Sequence, residues 1–310
     1  MADGAPAIEL RGLTKRFGDT LALDHVDLAV PSGVVFGFLG RNGAGKTTTL
    51  RILSGLARPT DGTAHVLGHD VARASDAVRA RIGFLPDVPG FYPWMTAREY
   101  LALAGRLFGL APATLDARAD ALLEMAGLAS VTTRVGGFSR GMKQRLGIAQ
   151  ALINAPSLLM LDEPTSALDP IGRREVLEMV ASLRRRTTVF FSTHILTDIE
   201  RVCDAVAIIE GGRIVTSAGI AELTARATAN RLFVEVDNAA AVGTLLAGRA
   251  WLKTMETTEH SLRLIVADVH AAQREIPAAI ASTGAALRRF EVEEASLEDV
   301  FVNLVGGAPR

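Results

Sequence analysis

The sequence predicts an α/β fold with a mainly parallel sheet, followed by a small α+β domain. Short apolar runs alternate along the chain with longer amphipathic segments, which is typical of strands alternating with helices. Runs such as Val34–Leu39 and Leu158–Leu161 are apolar throughout, as expected of strands buried on both faces of a parallel sheet. Segments such as Thr47–Leu56 and Arg140–Ile153 have the pattern of helices. After Gly219 the pattern changes, so we expect a second domain there.

Two further parts of the first domain differ from this pattern. Ile8–Leu13 and Leu23–Val30 are shorter, partly alternating runs, which suit an antiparallel edge. The segment from Thr96 to about Leu128 has an almost wholly helical pattern, and Thr96 with Glu99 forms a capping box at its start. We therefore expect a helical insertion at about residues 88–155, within a first domain that spans 7–220.

The second domain, 221–310, has a recognisable order of elements. Strand, helix, strand, strand, helix and strand patterns follow one another, which matches the split βαβ motif. The segments are Leu232–Val236, Ala239–Leu246, Lys253–Thr257, Leu262–Val266, Ala271–Ser282 and Leu287–Glu291.

Whole-chain composition excludes several classes of protein. The 310 residues carry a formal net charge of −1 and no basic stripe, so we expect no nucleic-acid partner. The single cysteine, Cys203, forbids an internal disulfide and favours a reducing compartment. No apolar run approaches the roughly 20 residues that span a bilayer, and the first residues do not have the pattern of a signal peptide. We expect a chain that does not cross a membrane by itself.

A glycine-rich phosphate-binding loop is the most specific signal in the chain. It follows the apolar strand Val34–Leu39 and opens a helix, which is the context that this motif requires. Its glycines let several backbone N–H groups point at one anion, and the helix N-terminus adds positive charge. Lys46 would reach the outer phosphates of a nucleotide and Thr47 would offer its hydroxyl to Mg²⁺. The candidate ATP-binding residues of the loop are Gly40, Arg41, Asn42, Gly43, Ala44, Gly45, Lys46, Thr47 and Thr48.

A second apolar strand ends in two carboxylates. Asp162 and Glu163 follow Leu158–Leu161, and ligands bind at the carboxyl ends of strands in open α/β sheets. Asp162 is expected to hold Mg²⁺, directly or through water. Glu163 is expected to orient or deprotonate the attacking water.

Three further motifs resemble one family closely. Phe138–Arg145 is similar to the signature of ATP-binding-cassette (ABC) ATPases, Ser166–Asp169 to their D-loop, and Ser192–His194 to their switch histidine. Their order and spacing also match, over residues 7 to about 220. The resemblance implies a P-loop NTPase with a RecA-like sheet that uses ATP and Mg²⁺.

The resemblance also implies a mechanism with composite sites. Two such domains close head to tail around two ATP molecules, as a homodimer or with a paired ATPase subunit. Each site combines Lys46, Glu163 and His194 of one copy, as catalytic residues, with the signature of the other. His194 would contact the γ-phosphate, Phe17 would stack on adenine, and Asp169 belongs to the D-loop. The signature residues are Ser139, Arg140, Gly141 and Met142.

Two motifs depart from the family pattern, at three positions. Asp87 stands where the family has a Gln that helps to hold the metal, and a carboxylate can still coordinate Mg²⁺. An exposed loop acid without a metal is the alternative. Arg140 and Met142 stand where Gly and Gln are more usual, whereas Ser139 and Gly141 remain.

The resemblance implies a transmembrane permease as partner. Phe91–Met95 follows Asp87 at the point where the family receives the membrane subunit, although these side chains could equally pack the helical insertion. Glu293–Phe301 resembles the C-terminal end of ATPases of the bacterial drug and polysaccharide export branch, the daunorubicin-resistance type. We expect an exporter subunit that is cytoplasmic and peripheral on the inner face of the cell membrane. A non-transport ABC ATPase of the DNA-repair or translation type is the alternative, and the presence of Glu163 and His194 disfavours a regulator without hydrolysis.

Overall fold

A computed structural model of the protein describes residues 5–228 and 231–292. The chain divides into two compact units, Met1–Gly219 and Ile220–Arg310. The segment Glu293–Phe301, whose sequence resembles the export branch, lies outside the described residues. Within them, no helix has the length and apolar character needed to cross a bilayer.

The first unit contains strands of two sheets and the helices that join them. Its strands are β1 (Ile8–Phe17), β2 (Thr20–Val30), β3 (Val35–Leu39), β4 (Asp61–Val66), β5 (His69–Asp70), β6 (Ile82–Leu85), β7 (Leu158–Asp162), β8 (Thr188–Thr193), β9 (Ala205–Glu210) and β10 (Arg213–Gly219). Its helices are α1 (Lys46–Leu53), α2 (Ser75–Arg79), α3 (Ala97–Leu107), α4 (Pro112–Met125), α5 (Arg140–Ala151), α6 (Pro170–Ser182) and α7 (Leu196–Val202).

The central sheet has the order β10-β9-β3-β8-β7-β6. All neighbours pair in parallel except β9 and β10. Every residue of β3, β7 and β8 is buried, because both faces of a parallel sheet are covered. Phe36, Phe38 and Phe190 pack ring against ring in this core. The predicted mainly parallel α/β fold is confirmed, and the carboxyl ends of its three central strands meet at one edge.

The N-terminal strands do not extend the central sheet. They form a separate antiparallel sheet in the order β2-β1-β4-β5, whereas the antiparallel edge of the central sheet is β10. β1 and β2 are a hairpin in which Phe17 pairs with Thr20 at the turn. This register places Phe17 at the tip of the hairpin.

The chain between β6 and β7 is helical, as predicted, and the helical pattern from Thr96 to about Leu128 corresponds to two helices, α3 and α4. The capping box is present, with the Glu99 N–H donating to Thr96 Oγ1 and the Thr96 N–H to Glu99 Oε2. α3 then ends because Gly109 adopts a left-handed φ of 72°, and its neighbour Leu110 bonds back to the carbonyl of Gly105. Pro112 opens α4 at a position where its missing N–H costs nothing.

The second unit has the predicted order of elements. After α8 (Ile220–Thr228) come β11 (Arg231–Val236), α9 (Ala239–Leu246), β12 (Leu252–Thr257), β13 (Ser261–Val266), α10 (Val269–Thr283) and β14 (Leu287–Val292). The four strands form an antiparallel sheet in the order β12-β13-β11-β14. Alternate residues of β11 pack with both helices in one core, which includes Val234, Leu246 and Ile276.

Candidate active site

The phosphate-binding loop joins the end of β3 to the start of α1. Gly43 and Gly45 have φ values of 81° and 110°, which favour glycine. A Cβ at Gly40 would lie 2.5 Å from the carbonyl oxygen of Ile209, and one at Gly45 would lie 2.8 Å from that of Ala22. The loop therefore needs these glycines both for its turns and for its close approach to β2 and β9.

The ammonium group of Lys46 lies at the inner side of this loop. The side chain is buried, and Nζ donates to the carbonyl oxygens of Gly40 at 2.7 Å and Arg41 at 3.2 Å. Nζ also lies 3.0 Å from Glu163 Oε1. The positive charge is thus fixed between the loop and the carboxylate that follows β7. Of the other polar side chains of the loop, Arg41, Asn42 and Thr47 are exposed and Thr48 is half-buried.

Ser192 forms hydrogen bonds with both acidic residues at the end of β7. Its hydroxyl donates to Asp162 Oδ1 at 2.6 Å and accepts from the backbone N–H of Glu163 at 3.1 Å. Asp162 and Ser192 are register partners in β7 and β8. Ser192 belongs to the motif Ser192–His194, but its contact with Asp162 follows from the strand order and not from that motif.

Burial is the largest cause that raises the pKa of Asp162 above its usual value. Hydrogen bonds from Ser192 and Thr47 act in the opposite direction, and the charges of Asp87 and Glu163 raise this pKa further. A bound cation would favour the charged form of Asp162, since it offsets the negative charges of the neighbouring carboxylates.

Glu163 and His194 form a close pair. His194 Nδ1 lies 2.9 Å from Glu163 Oε2, and the His194 ring is partly exposed. Glu163 has a left-handed φ of 49°, which is uncommon for a residue with a side chain. Because its N–H donates to both the hydroxyl and the carbonyl of Ser192, this conformation is held in place. The structure therefore brings together Lys46, Asp162, Glu163 and His194.

Asp87, the residue that stands where the family has a Gln, lies beside this group. It is exposed and accepts a hydrogen bond from Ser166 Oγ at 3.2 Å. Its negative charge is one of the causes that raise the pKa of Asp162. The bond to Ser166 also links the start of the D-loop to the loop after β6.

The oxygen groups here suit Mg²⁺ bound together with a nucleotide. Thr47 and Asp162 supply the hard oxygen ligands that Mg²⁺ prefers, and Mg²⁺ ordinarily keeps waters and phosphate oxygens as its other ligands. Across residues 5–228 and 231–292, no cluster of three or more His, Cys, Asp or Glu side chains could hold a metal alone. The residues therefore fit a cation that arrives with phosphate.

The signature residues form a separate group. Ser139 caps α5 by accepting from the Met142 N–H at 3.2 Å, and Asp169 caps α6 by accepting from the Gly172 N–H at 2.9 Å. Ser139, Arg140 and Gly141 share with Asp169 the lining of a cavity of about 320 Å³. In the part of the chain that the structure describes, no hydrogen bond joins this group to Lys46 or Glu163. The caps of α5 and α6 thus place these residues at one cavity.

Two aromatic features remain outside both groups. Phe17 is 53 % exposed at its hairpin tip, with Lys15 Nζ 4.8 Å from the ring centroid. Trp94 is 59 % exposed and packs on Tyr92, whereas Phe91 packs on Tyr100. The Phe91–Met95 segment therefore both packs the helical insertion and presents an aromatic surface.

Comparisons with known proteins decide the family. Residues 23–166 match the ABC transporter family, and residues 219–305 match the C-terminal domain of DrrA1-3-like ATP-binding proteins. The bacitracin transport ATP-binding protein BcrA of Bacillus licheniformis is 38 % identical over 97 % of this chain and 97 % of its own length. The chain belongs to the ATP-binding subunits of ABC transporters. This ABC ATPase subunit lies in the branch that contains the DrrA and BcrA drug-resistance proteins.

Other relatives of this ABC subunit agree. The daunorubicin resistance ATP-binding protein DrrA3 of Streptomyces coeruleorubidus is 38 % identical over all of this chain and 98 % of its own length. A solved ATP-binding subunit of an ABC transporter has a TM-score of 0.64 and 30 % identity, over 71 % of this chain and 92 % of its own. A dimeric ATP-binding cassette in a post-hydrolysis state with ADP and Pi has a TM-score of 0.62 and 25 % identity, over 69 % of this chain and 98 % of its own.

Proposed function

We propose that this ABC subunit hydrolyses ATP at the carboxyl edge of its central sheet, with Glu163 as the base that activates water. One observation carries the proposal: Glu163 lies between Lys46 Nζ, at 3.0 Å, and His194 Nδ1, at 2.9 Å. A carboxylate beside a phosphate-binding lysine can take a proton from water while the lysine holds the outer phosphates. His194 contacts the γ-phosphate and stabilises charge that develops during transfer.

The remaining groups bind the nucleotide. The backbone N–H groups from Gly40 to Thr48 surround the phosphates, helped by the N-terminus of α1. Phe17 stacks on adenine, because its exposed ring has the open surface that stacking needs. Thr47 and Asp162, with Asp87 beside them, hold Mg²⁺. When bound, this ion would neutralise charge on the phosphate oxygens.

Two copies of the chain, or this chain and a paired ATPase, complete each site. The support is that Ser139, Arg140 and Gly141 line a cavity with Asp169 that neither Lys46 nor Glu163 lines, while the solved relative described above is a dimer. Ser139 and the Gly141 backbone contact the γ-phosphate bound by the other copy. ATP then joins the two copies and hydrolysis releases them.

ATP hydrolysis by this subunit powers export through an ABC transporter. Relatives that this chain covers along nearly their whole length are named for bacitracin transport and daunorubicin resistance, and another, 41 % identical over 66 % of this chain, for Nod factor export. We infer drug-like, lipid or polysaccharide cargo and a transmembrane permease that docks at Tyr92 and Trp94. The protein then acts in the cytoplasm, at the inner face of the cell membrane.

Steady-state ATP hydrolysis tests the proposal. We expect Mg²⁺-dependent turnover by the wild type and a fall in kcat of about 10²- to 10⁴-fold for Glu163→Gln, since the amide cannot accept the proton. ATP binding by that variant should persist. Glu259→Gln in the second unit is the matched control and should keep wild-type turnover. Wild-type kcat in Glu163→Gln would show that Glu163 is not the base.

A further inference from the structure

Asp198 is a fully buried carboxylate that has no part in the proposed chemistry. It lies in α7, four residues after His194 in the sequence, and its relative exposure is 0 %. A buried charge is costly unless it is paired and hydrogen-bonded, so its partners are informative.

The partners of Asp198 come from the two segments that follow Glu163. Oδ2 accepts from Thr165 Oγ1 at 2.6 Å, and Oδ1 accepts from Arg173 Nε at 2.6 Å. The same guanidinium donates to Thr197 Oγ1 at 2.6 Å through Nη2. One carboxylate therefore connects the loop after β7, the helix α6 and the helix α7.

Each of these three elements lies close in sequence to a residue of the proposed site. Thr165 lies two residues after Glu163, α6 begins directly after Asp169, and α7 begins two residues after His194. Ser192 holds the other end of the same loop through the N–H of Glu163. The segment from Ser192 to Asp198 thus contacts the Glu163 loop through two residues, Ser192 and Asp198, which lie on either side of His194 in the sequence.

We propose that Asp198 is a positioning residue for ATP hydrolysis. It fixes the Glu163 loop to the helices that follow His194 and Asp169. The distance between the side chains of Glu163 and His194 is thereby maintained, and the D-loop is coupled to the Glu163 loop. Charge-assisted hydrogen bonds are short and geometrically demanding, which suits them to this task. The inference rests on the proposed function of Glu163 and His194.

The test compares Asp198→Asn with Asp204→Asn in the full-length protein. Asp204 is a matched control because it also pairs with an arginine, Arg184, at 3.2 Å, and accepts from a backbone N–H, that of Val35, at 2.9 Å. Val35 begins β3, so this pair lies at the opposite edge of the sheet from the site. We expect kcat to fall at least tenfold in Asp198→Asn with KM for ATP within about threefold, and Asp204→Asn to keep wild-type kcat.

A second pair of variants decides the matter if Asp198→Asn does not fold. Thr165→Ser keeps the hydroxyl that donates to Asp198 and should keep kcat, whereas Thr165→Val removes it and should lower kcat without changing KM. Wild-type kcat in the folded Asp198→Asn protein, or in Thr165→Val, would overturn the inference. A wild type that does not hydrolyse ATP, or a Glu163→Gln variant that does, would instead overturn the proposed function.

Discussion

Glu163 owes its position to contacts that are far away in the sequence. Its left-handed backbone is held by Ser192, and its carboxylate lies between Lys46 and His194. The resemblance of the motifs to the ABC family implied that Lys46, Glu163 and His194 belong to one site. Sequence could not predict that Ser192 links Asp162 to Glu163, because that contact depends on β7 and β8 being neighbours in register.

Phe17 offers a prediction at the scale of a single side chain. Removing a stacked ring costs about 0.5–1.5 kcal/mol, so Phe17→Ala should raise the Kd for ATP roughly 2- to 12-fold, and Phe17→Tyr should leave it near the wild-type value. Fluorescent-nucleotide titration measures this. Phe108→Ala is the control, since Phe108 is 47 % exposed but lies at the end of α3, away from the phosphate loop. Equal affinity in Phe17→Ala and the wild type would remove Phe17 from the site.

At the scale of elements, the buried strands and the helices of the second unit were predictable, whereas β4 and β10 were not. β3 and β7 are wholly buried and therefore apolar throughout. β4 begins with three exposed residues, and β10 has no fully buried residue, so neither contains the apolar run by which a strand is detected. The helical pattern of residues 96–128 did not give the bounds of α3 and α4, which follow from the left-handed φ of Gly109 and from Pro112 at the start of α4.

The packing of α5 on β6 gives a prediction at this scale. A Cβ at Gly83 would lie 2.0 Å from the carbonyl oxygen of Ala151, which is backbone and cannot rotate away. Gly83→Ala should therefore lower the free energy of unfolding by about 1–3 kcal/mol in urea denaturation. Gly90→Ala has open space around the new methyl group and should change it by less than about 0.5 kcal/mol. Equal stability of the two variants would contradict the packing of these elements.

At the scale of the whole molecule, the two units differ in what their sequences reveal. The first contains motifs whose chemistry is explicit, because phosphate, metal and proton transfer each require particular side chains at fixed spacing. The second has a confirmed fold, and its match to the DrrA1-3-like C-terminal domain places the chain in its branch. Its sheet and helices contain no comparable chemical motif, so fold alone does not disclose its role.

The composite site is the central claim, and it can be tested with two inactive proteins. Glu163→Gln lacks the base but keeps the signature, and Ser139→Arg blocks the signature but keeps the base. Each should be inactive alone in Mg²⁺-dependent ATP hydrolysis. A mixture should recover activity, because a mixed dimer contains one site with an intact Glu163 from one copy and an intact Ser139 from the other. A mixture that is no more active than the sum of its two components would contradict a site shared between two copies.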